Sequence, residues 1–479
     1  MKKLAGVALL AAVPAVLLAR PHVWLIGGGP TPEAAEAQIE FNVVWVLETL
    51  DGIAPEAVVR VFYANGNGPE MATREGRPRG DPDPIKALAR VLDPDGGDNS
   101  IFRPHRVPGV LGPTTADSLI PALERQFREL KEGDRALIVY NGHGSWDPDR
   151  SLNALRLWGE SSLTVREFER LLSLISPAVP VRFIFTQCFS GAFERAVHPD
   201  ASDVKVLASG QRCGFLAESS ERESEGCSAS IEIGDYRDYT TYFFAALTGR
   251  TRLGEPIEGN PDRDADGRVT PYEAHLYTLS HAYNGDLPRS TSEVYLERWR
   301  PWYLRWVTPR TLPENDYGRV ARLLAQRNNL PEDGPALARA IERRHEELAM
   351  STGALEAERQ RLEGEVEGIQ DRIQVALLDR WPELGHPYSE GYRTFLVRNL
   401  GQAESLISAH PEYAGLAARQ ERLSQVEVEL IDRDRQITQL EMIRRTRMLA
   451  VTLQQFRRLA SGADRAAYQQ LQACESLPL

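Results

Sequence analysis

Two residues that could carry nucleophilic chemistry, His143 and Cys188, follow two apolar segments of the chain. Residues 136–140 read Ala-Leu-Ile-Val-Tyr and continue into Asn-Gly-His-Gly-Ser, and residues 181–185 read Val-Arg-Phe-Ile-Phe and continue into Thr-Gln-Cys-Phe-Ser-Gly. Both segments are typical of strands buried in a parallel sheet. The carboxyl ends of such strands form the edge at which open α/β sheets bind ligands. The sequence therefore predicts an imidazole and a thiol at one edge, as a cysteine nucleophile with an acid/base partner requires.

In this order the two motifs resemble those of the caspase-like cysteine peptidases, most closely the legumain-like branch. The matching positions are His143-Gly144 and residues 187–191, and the resemblance extends over residues 22–285. It implies a caspase-like three-layer sandwich around a mostly parallel central sheet. It also implies that Cys188 is the nucleophile and that His143 assists proton transfer to the leaving amine. By the same resemblance, the backbone N–H groups of Gly144 and Cys188 would form the oxyanion hole.

The resemblance also suggests side chains that bind the substrate residue before the scissile bond. Residues 204–208 are predicted to be a further strand, which would bring Ser209 to the same edge, and Asp235 is similar to an acidic pocket residue of the legumain-like family. The arginine that this family takes from the turn after the first strand has no counterpart in residues 27–38. We therefore expect an acidic pocket that accepts arginine or lysine instead of strict asparagine specificity.

A second motif, residues 262–273, has the ligand spacing of an EF-hand calcium loop. Ca²⁺ requires a cage of oxygen atoms, and such a loop supplies them from fixed positions around a glycine. The predicted ligands are the carboxylates of Asp262, Asp264, Asp266 and Glu273, the carbonyl of Arg268, and Thr270 through a water. Because the loop occurs once, inside a predicted catalytic domain, we expect calcium to stabilise the fold rather than to act as a signal.

The elements that must position these motifs alternate between strands and helices over residues 20–310. The predicted strands are 22–26 and 58–63, and the predicted helices are 33–50, 115–132 and 162–175, the last opened by a Thr-x-x-Glu capping pattern. This alternation indicates an α/β domain with a mostly parallel sheet. Residues 64–99 are rich in glycine, proline and aspartate, and are predicted to be a long exposed loop.

From residue 316 to residue 479 the chain becomes charged, glycine-poor and helical in pattern. Apolar residues keep heptad spacing from Ile341 to Ala376 and again from Leu416 to Leu440, on either side of a stretch that contains prolines. Two such segments predict an antiparallel coiled-coil hairpin. Its role is left open between a dimerisation arm, a docking arm, a lid over the active-site edge and a helical appendage that covers an exposed face.

The composition, with 479 residues, 42% hydrophobic residues and a net charge of −12, describes an acidic globular protein of more than one domain. The acidity argues against nucleic acid as a partner, because phosphate binding needs a concentrated basic face. Residues 1–19 combine two lysines with an apolar run that is short for a membrane span, which needs about 20 residues. They predict a cleaved signal peptide and a secreted or periplasmic protein without a stable membrane span.

Export raises the question of disulfides among the four cysteines. Cys213 and Cys227 flank a polar loop and are the candidate pair, whereas Cys474 has no evident partner. Together, these features predict an exported cysteine endopeptidase that acts on proteins or peptides. The alternatives are an enzyme that passes the acyl group to an amine, as ligases of this clan do, and a peptidase-shaped binding protein without turnover.

Overall fold

The computed structural model describes residues 20–76, 83–92, 100–306, 311–332, 334–386 and 389–479. The predicted signal peptide, residues 1–19, lies outside the described residues. Within the described ranges, no helix combines the length and the apolar character that crossing a bilayer would demand.

The strands of the described ranges form one large sheet and one small one. The strands are β1 (Pro21–Gly28), β2 (Val58–Tyr63), β3 (Thr73–Gly76), β4 (Ser100–Arg103), β5 (Val110–Gly112), β6 (Arg135–Ser145), β7 (Ala154–Leu157), β8 (Ser161–Thr164), β9 (Val181–Phe185), β10 (Arg212–Leu216) and β11 (Arg289–Ser290). The large sheet has the order β11-β10-β9-β6-β1-β2-β5, and β7 and β8 extend from the end of β6. Its neighbours from β10 to β5 run parallel, and β11 is an antiparallel edge strand.

Helices cover both faces of this sheet and form a separate C-terminal region. The helices are α1 (Ala37–Ile53), α2 (Asp83–Leu92), α3 (Ala116–Arg128), α4 (Val165–Leu172), α5 (Tyr239–Thr248), α6 (Pro271–His281), α7 (Thr291–Trp299), α8 (Asp316–Arg327), α9 (Gly334–Arg380), α10 (Glu390–Arg398), α11 (Leu400–Ala409), α12 (Tyr413–Leu459) and α13 (Gly462–Glu475). One apolar core packs α3 and α4 against the sheet, and another packs α1, α5 and α6 against the opposite face. The prediction of an α/β fold with a mostly parallel central sheet is confirmed.

The central strands β1, β6 and β9 are almost continuously apolar because helices bury them from both sides. In the β6–β9 pair, Tyr140 lies opposite Phe185. The predicted capping pattern is present in α4, where the Thr164 side chain accepts from the Glu167 N–H and the Glu167 carboxylate accepts from the Thr164 N–H. Such a cap fixes where β8 ends and α4 begins, and it contributes about 1 kcal/mol.

The prediction that residues 64–99 are a long irregular loop was wrong in part. Strand β3 and helix α2 lie within this segment, although residues 77–82 and 93–99 are outside the described ranges. The apolar face of α2, formed by Ala87, Leu88 and Val91, is buried against the C-terminal helices. This helix depends on a partner some 280 residues away in the sequence, and its short apolar pattern does not reveal that partner.

The C-terminal region contains two helices of 47 residues each, α9 and α12, which pack side by side. Ion pairs join Arg444 to Glu342 at 2.6 Å and Arg422 to Glu358 at 2.9 Å, so the two helices run antiparallel. Helices α10 and α11 complete the distal end, where α2 also packs. The long C-terminal helical region is therefore confirmed, and α12 continues past the predicted segment to pack against α7 and α8.

The disulfide joins Cys213 to Cys474, not Cys213 to Cys227 as predicted. Cys213 is buried within β10, and α13 packs across this strand, so the Cα atoms of Cys213 and Cys474 approach to 5.9 Å. Cys227 lies instead on an exposed loop beyond the carboxyl end of β10. The bond therefore ties the last helix of the chain to the edge of the α/β sheet.

Candidate active site

His143 and Cys188 lie at the same edge of the sheet. Tyr140 and Phe185 are register partners on the parallel strands β6 and β9, and His143 and Cys188 each stand three residues beyond them. Both residues are half-buried, so solvent reaches them. The structure thus brings the two predicted groups to the carboxyl ends of neighbouring strands, as their spacing required.

Glu36 holds the imidazole of His143 from the other side. This residue precedes α1 in the turn after β1, and its Oε2 lies 2.9 Å from His143 Nε2. Because the carboxylate accepts this hydrogen bond, the ring proton resides on Nε2 and the lone pair resides on Nδ1. Burial alone would raise the pKa of Glu36, but the hydrogen bond and charge of His143, a backbone hydrogen bond and the charge of Arg74 together outweigh burial and lower this pKa. Sequence reasoning missed Glu36, since a single acidic residue in a turn has no distinctive spacing.

Cys188 is held by the chain beyond β10. The Ser224 N–H points at Cys188 Sγ with an N···S distance of 3.3 Å, and Ser224 Oγ donates to the Thr186 carbonyl at 3.0 Å. Burial raises the pKa of the Cys188 thiol, against the opposing effect of the Ser224 N–H. The thiol is therefore protonated at neutral pH, and a nearby base must remove its proton before it can attack.

The backbone turns sharply directly after Cys188. Phe189 has a φ of 59°, in the left-handed region that non-glycine residues rarely occupy, and it caps the 3₁₀ helix Ser190–Val197. A β-carbon added to Gly144 would lie 2.1 Å from the carbonyl oxygen of Cys188. Only glycine at position 144 lets the backbones of β6 and the cysteine turn come this close. The predicted oxyanion residues, Gly144 and Cys188, are thus brought into contact.

A second free thiol, Cys227, lies at the same edge. Its Sγ is 3.8 Å from His143 Nδ1, and within the described ranges no hydrogen bond joins His143 directly to Cys188. Although Cys227 is exposed as a residue, protein atoms crowd its sulfur. This desolvation, together with the negative charge of Glu36, raises the pKa of the Cys227 thiol. Sequence reasoning assigned Cys227 to a disulfide and so missed its contact with the histidine.

Residues 218–227, which we call the thiol loop, connect this site to the C-terminal helices. A β-carbon on Gly191 would lie 2.5 Å from the carbonyl carbon of Ser219, so the loop runs directly over the cysteine turn. Arg222 in the loop pairs with Glu441 on α12 at 2.7 Å, and Glu225 pairs with Arg435 on the same helix. The loop that holds Cys188 through Ser224 is therefore anchored on α12.

The two predicted substrate-binding residues lie elsewhere. Residues 204–208 contain no strand, and Ser209 precedes β10 instead of following a strand. Ser209 therefore lies at the amino end of β10, the edge opposite to His143 and Cys188, so the predicted placement of Ser209 at the active-site edge was wrong. Asp235 is exposed in the 3₁₀ turn Ile233–Asp235, and no contact of its side chain joins it to the dyad. In contrast to Asp235, Asp238 is buried, and its side chain caps the N-terminus of α5.

The predicted calcium loop ends at α6 and gathers three of its carboxylates. One oxygen each of Asp262, Asp264 and Glu273 lies within 4.8 Å of the others, and Asp262 Oδ1 is buried without a hydrogen-bond partner. An orphaned buried carboxylate oxygen fits a cation ligand, and oxygen donors fit Ca²⁺.

Two further predicted ligands, Asp266 and Thr270, make hydrogen bonds within the loop and at the start of α6. The Asp266 carboxylate accepts the Arg268 N–H at 2.8 Å, and Asp266 is not part of the carboxylate cluster. The Thr270 side chain caps α6, where it accepts the Glu273 N–H. The carboxylates that the structure gathers are therefore those of Asp262, Asp264 and Glu273, and the roles of Asp266 and the Arg268 carbonyl stay predictions.

Comparison with known proteins identifies no family. No family model matches the chain, and no curated protein matches it. Among solved structures, the crystal structure of protein GSU0716 from Geobacter sulfurreducens, a structural genomics target, is similar over 48% of this chain and 82% of that chain, with 11% sequence identity and a TM-score of 0.29. A likeness at this level carries no argument about fold or function.

Proposed function

We propose that this protein is a cysteine endopeptidase in which Cys188 is the nucleophile and His143 is its acid/base partner. The observation that carries the proposal is the placement of both groups three residues beyond a register pair of parallel strands, with Glu36 bonded to Nε2 of the histidine. A nucleophile, a base and a group that orients the base are the parts that covalent catalysis at a carbonyl needs. The motif resemblance to the legumain-like branch of the caspase-like peptidases supports the same assignment.

In the proposed reaction, His143 Nδ1 accepts the proton of the Cys188 thiol as Sγ attacks the carbonyl carbon of a peptide bond. The negative charge that develops on the carbonyl oxygen is stabilised by the N–H groups of Gly144 and Cys188. His143 then gives the proton to the departing amine, which leaves a thioester on Cys188. Water attacks the thioester, returns a proton to the thiol through His143, and releases the second product as a carboxylic acid.

Acidic groups around the two thiols support a preference for a basic residue before the scissile bond. Burial is the main cause that raises the pKa of the Cys188 thiol, and the negative charges of Glu223 and Asp286 raise it further. The negative charge of Glu36 likewise adds to the effect of burial on the pKa of the Cys227 thiol. Asp286 is buried, and burial raises its pKa, whereas Glu36 is buried against His143, which leaves the exposed Glu223 as the negative charge that faces a substrate. A side chain of arginine or lysine in this pocket would gain from the charge of Glu223.

The remaining parts of the proposal concern architecture and location. We infer that residues 20–310 have a caspase-like sandwich, that Ca²⁺ at residues 262–273 stabilises it, and that α9 and α12 form a coiled coil. The interhelical ion pairs and the apolar seam between α9 and α12 support the last inference. A disulfide between Cys213 and Cys474 is typical of a protein that folds in an oxidising compartment, which supports export.

A peptide library tests the reaction class. The full-length protein and Cys188→Ala are incubated with peptides that carry each amino acid before the scissile bond, with and without an added amine. Products with a free carboxylate after arginine or lysine, absent with Cys188→Ala, are the expected result. Amide products that form only with the added amine would show that the protein transfers the acyl group to an amine instead of hydrolysing the peptide. Binding of peptides without any product would leave the binding protein as the function.

A further inference from the structure

Three side chains of different ligand types meet at the edge of the sheet outside the nucleophile itself. Glu36 comes from the turn before α1, His143 from the end of β6, and Cys227 from the thiol loop. One ligand atom from each lies within 4.8 Å of the other two. The peptidase reaction requires no thiol at position 227, so this cluster calls for a separate explanation.

The separations match those of a tetrahedral zinc site. With Zn–S near 2.3 Å and Zn–N near 2.0 Å, sulfur and nitrogen ligands stand about 3.5 Å apart across the ion. Cys227 Sγ and His143 Nδ1 are 3.8 Å apart in the structure. The Glu36 carboxylate accepts from His143 Nε2, which is the position from which a carboxylate orients a zinc-bound histidine.

The cluster is also accessible to an ion from solvent. Cys227 is exposed, and the side chain of His143 is 24% exposed, whereas that of Glu36 is 8% exposed. The buried carboxylate supplies negative charge, and the exposed Cys227 together with the half-buried His143 forms the open side. A thiolate and an imidazole select zinc and similar thiophilic ions over the hard ions Ca²⁺ and Mg²⁺.

We propose that Cys227 Sγ and His143 Nδ1 bind a zinc ion, that Glu36 orients the histidine ring, and that waters are the remaining ligands. On binding, the thiol proton of Cys227 passes to solvent, and its sulfur and the Nδ1 lone pair of His143 bond to the ion. No oxidation occurs. The same Nδ1 lone pair is the one that would accept the Cys188 proton, so a bound ion withdraws the base from the nucleophile. This second consequence rests on the proposed peptidase function, whereas the metal site itself does not.

Metal binding is tested directly on the full-length protein, with Ca²⁺ at saturation so that the acidic loop at residues 262–273 is filled. Calorimetric titration measures zinc stoichiometry, and cobalt titration measures the charge-transfer absorption that a thiolate ligand produces. We expect one ion per chain and a thiolate band that persists in Cys188→Ala and disappears in Cys227→Ser. Glu36→Gln should weaken zinc binding by roughly tenfold or more.

The contrary results are equally distinct. The absence of stoichiometric zinc binding would overturn the site, and so would a thiolate band that disappears in Cys188→Ala but persists in Cys227→Ser. For each variant, the rate of peptide hydrolysis with zinc is divided by the rate without zinc. This ratio should be well below one in the wild type and close to one in Cys227→Ser. Zinc binding without peptide hydrolysis under any condition would refute the peptidase and leave the metal site standing.

Discussion

Glu36 Oε2 lies 2.9 Å from His143 Nε2 and thereby leaves the lone pair on Nδ1, the nitrogen that lies 3.8 Å from Cys227 Sγ. A carboxylate in this position holds the ring in one tautomer and stabilises the imidazolium that forms when the thiol loses its proton. The relationship makes Glu36 a positioning residue for the proposed nucleophile.

Replacement of Glu36 by glutamine should lower kcat for peptide hydrolysis by roughly 10- to 100-fold with little change in KM. An amide can present its NH₂ to the ring and so favour the wrong tautomer. Glu36→Asp should recover part of the rate, because it keeps the charge. Glu48→Gln, on the exposed side of α1, is the matched control and should behave as the wild type. Equal losses in Glu36→Gln and Glu48→Gln would argue for a general effect on folding.

Removal of Arg435 should slow the reaction of Cys188 without abolishing it. Arg435 anchors Glu225 of the thiol loop on α12, and the loop in turn holds Cys188 through Ser224. Weakening of the loop by about 1 kcal/mol predicts a roughly fivefold slower covalent labelling of Cys188 in Arg435→Ala. Arg444→Ala removes an ion pair of the same helix to Glu342 instead, and its labelling rate should match the wild type. Identical rates of Cys188 labelling in Arg435→Ala and Arg444→Ala would show that the anchoring of the thiol loop on α12 does not affect the reaction of Cys188.

Calcium should raise the melting temperature of the wild type relative to the protein in chelator. Asp264→Asn removes one carboxylate of the cluster without touching the helix cap that Glu273 forms with Thr270, so it should abolish the calcium response. Asp203→Asn, an exposed aspartate outside the loop, serves as the control. A melting temperature that is independent of calcium in the wild type would contradict a structural calcium site.

The free energy of unfolding should fall in acid because Glu293, a buried residue that joins α7 to α12, becomes protonated. Burial alone would raise the pKa of Glu293, but Arg445 at 2.8 Å and His275 at 3.2 Å outweigh it and lower this pKa to about 2. The unfolded chain binds the proton near pH 4.5, so the contribution is complete above that pH and is lost as the pH falls toward 2. A shift of this size corresponds to about 3 kcal/mol.

Denaturant unfolding between pH 2 and about pH 6 measures this effect. Glu293→Gln should be destabilised at neutral pH, because Arg445 stays buried without its partner, and should show a shallower loss of stability in acid. Glu314→Gln removes an exposed pair with Arg322 and should keep the slope of the wild type. An unchanged acid slope in Glu293→Gln would show that other carboxylates control acid unfolding.

The parts of the site that could be predicted are those that local patterns determine. Residues 58–63 and 181–185 are strands with the predicted bounds, and buried apolar strands followed by His143 and Cys188 place both residues at one edge, because parallel strands end there together. The strand predicted at residues 204–208 is absent, and the strand of this region is β10. A short apolar pattern such as that of residues 204–208 is found in turns as well as in strands. That error moved Ser209 to the wrong edge of the sheet.

The contacts that sequence reasoning missed all join distant parts of the chain. Glu36 and His143 are separated by 107 positions, Cys227 and His143 by 84, and the disulfide partners by 261. No periodicity within a single element encodes such contacts, since they depend on how the thiol loop and α13 close over the sheet. The Cys213–Cys227 prediction used nearness in sequence, whereas the packing of α13 on β10 determines the actual pair.

The most direct test of the proposed function is the location of a covalent adduct. The full-length protein is treated with a peptidyl acyloxymethyl ketone that carries arginine before the reactive carbonyl, and the labelled residue is identified by peptide mass spectrometry. We predict one adduct, on Cys188, that is absent in a folded Cys188→Ala variant. An adduct on Cys227, or a folded wild-type protein that forms none, would contradict Cys188 as the nucleophile.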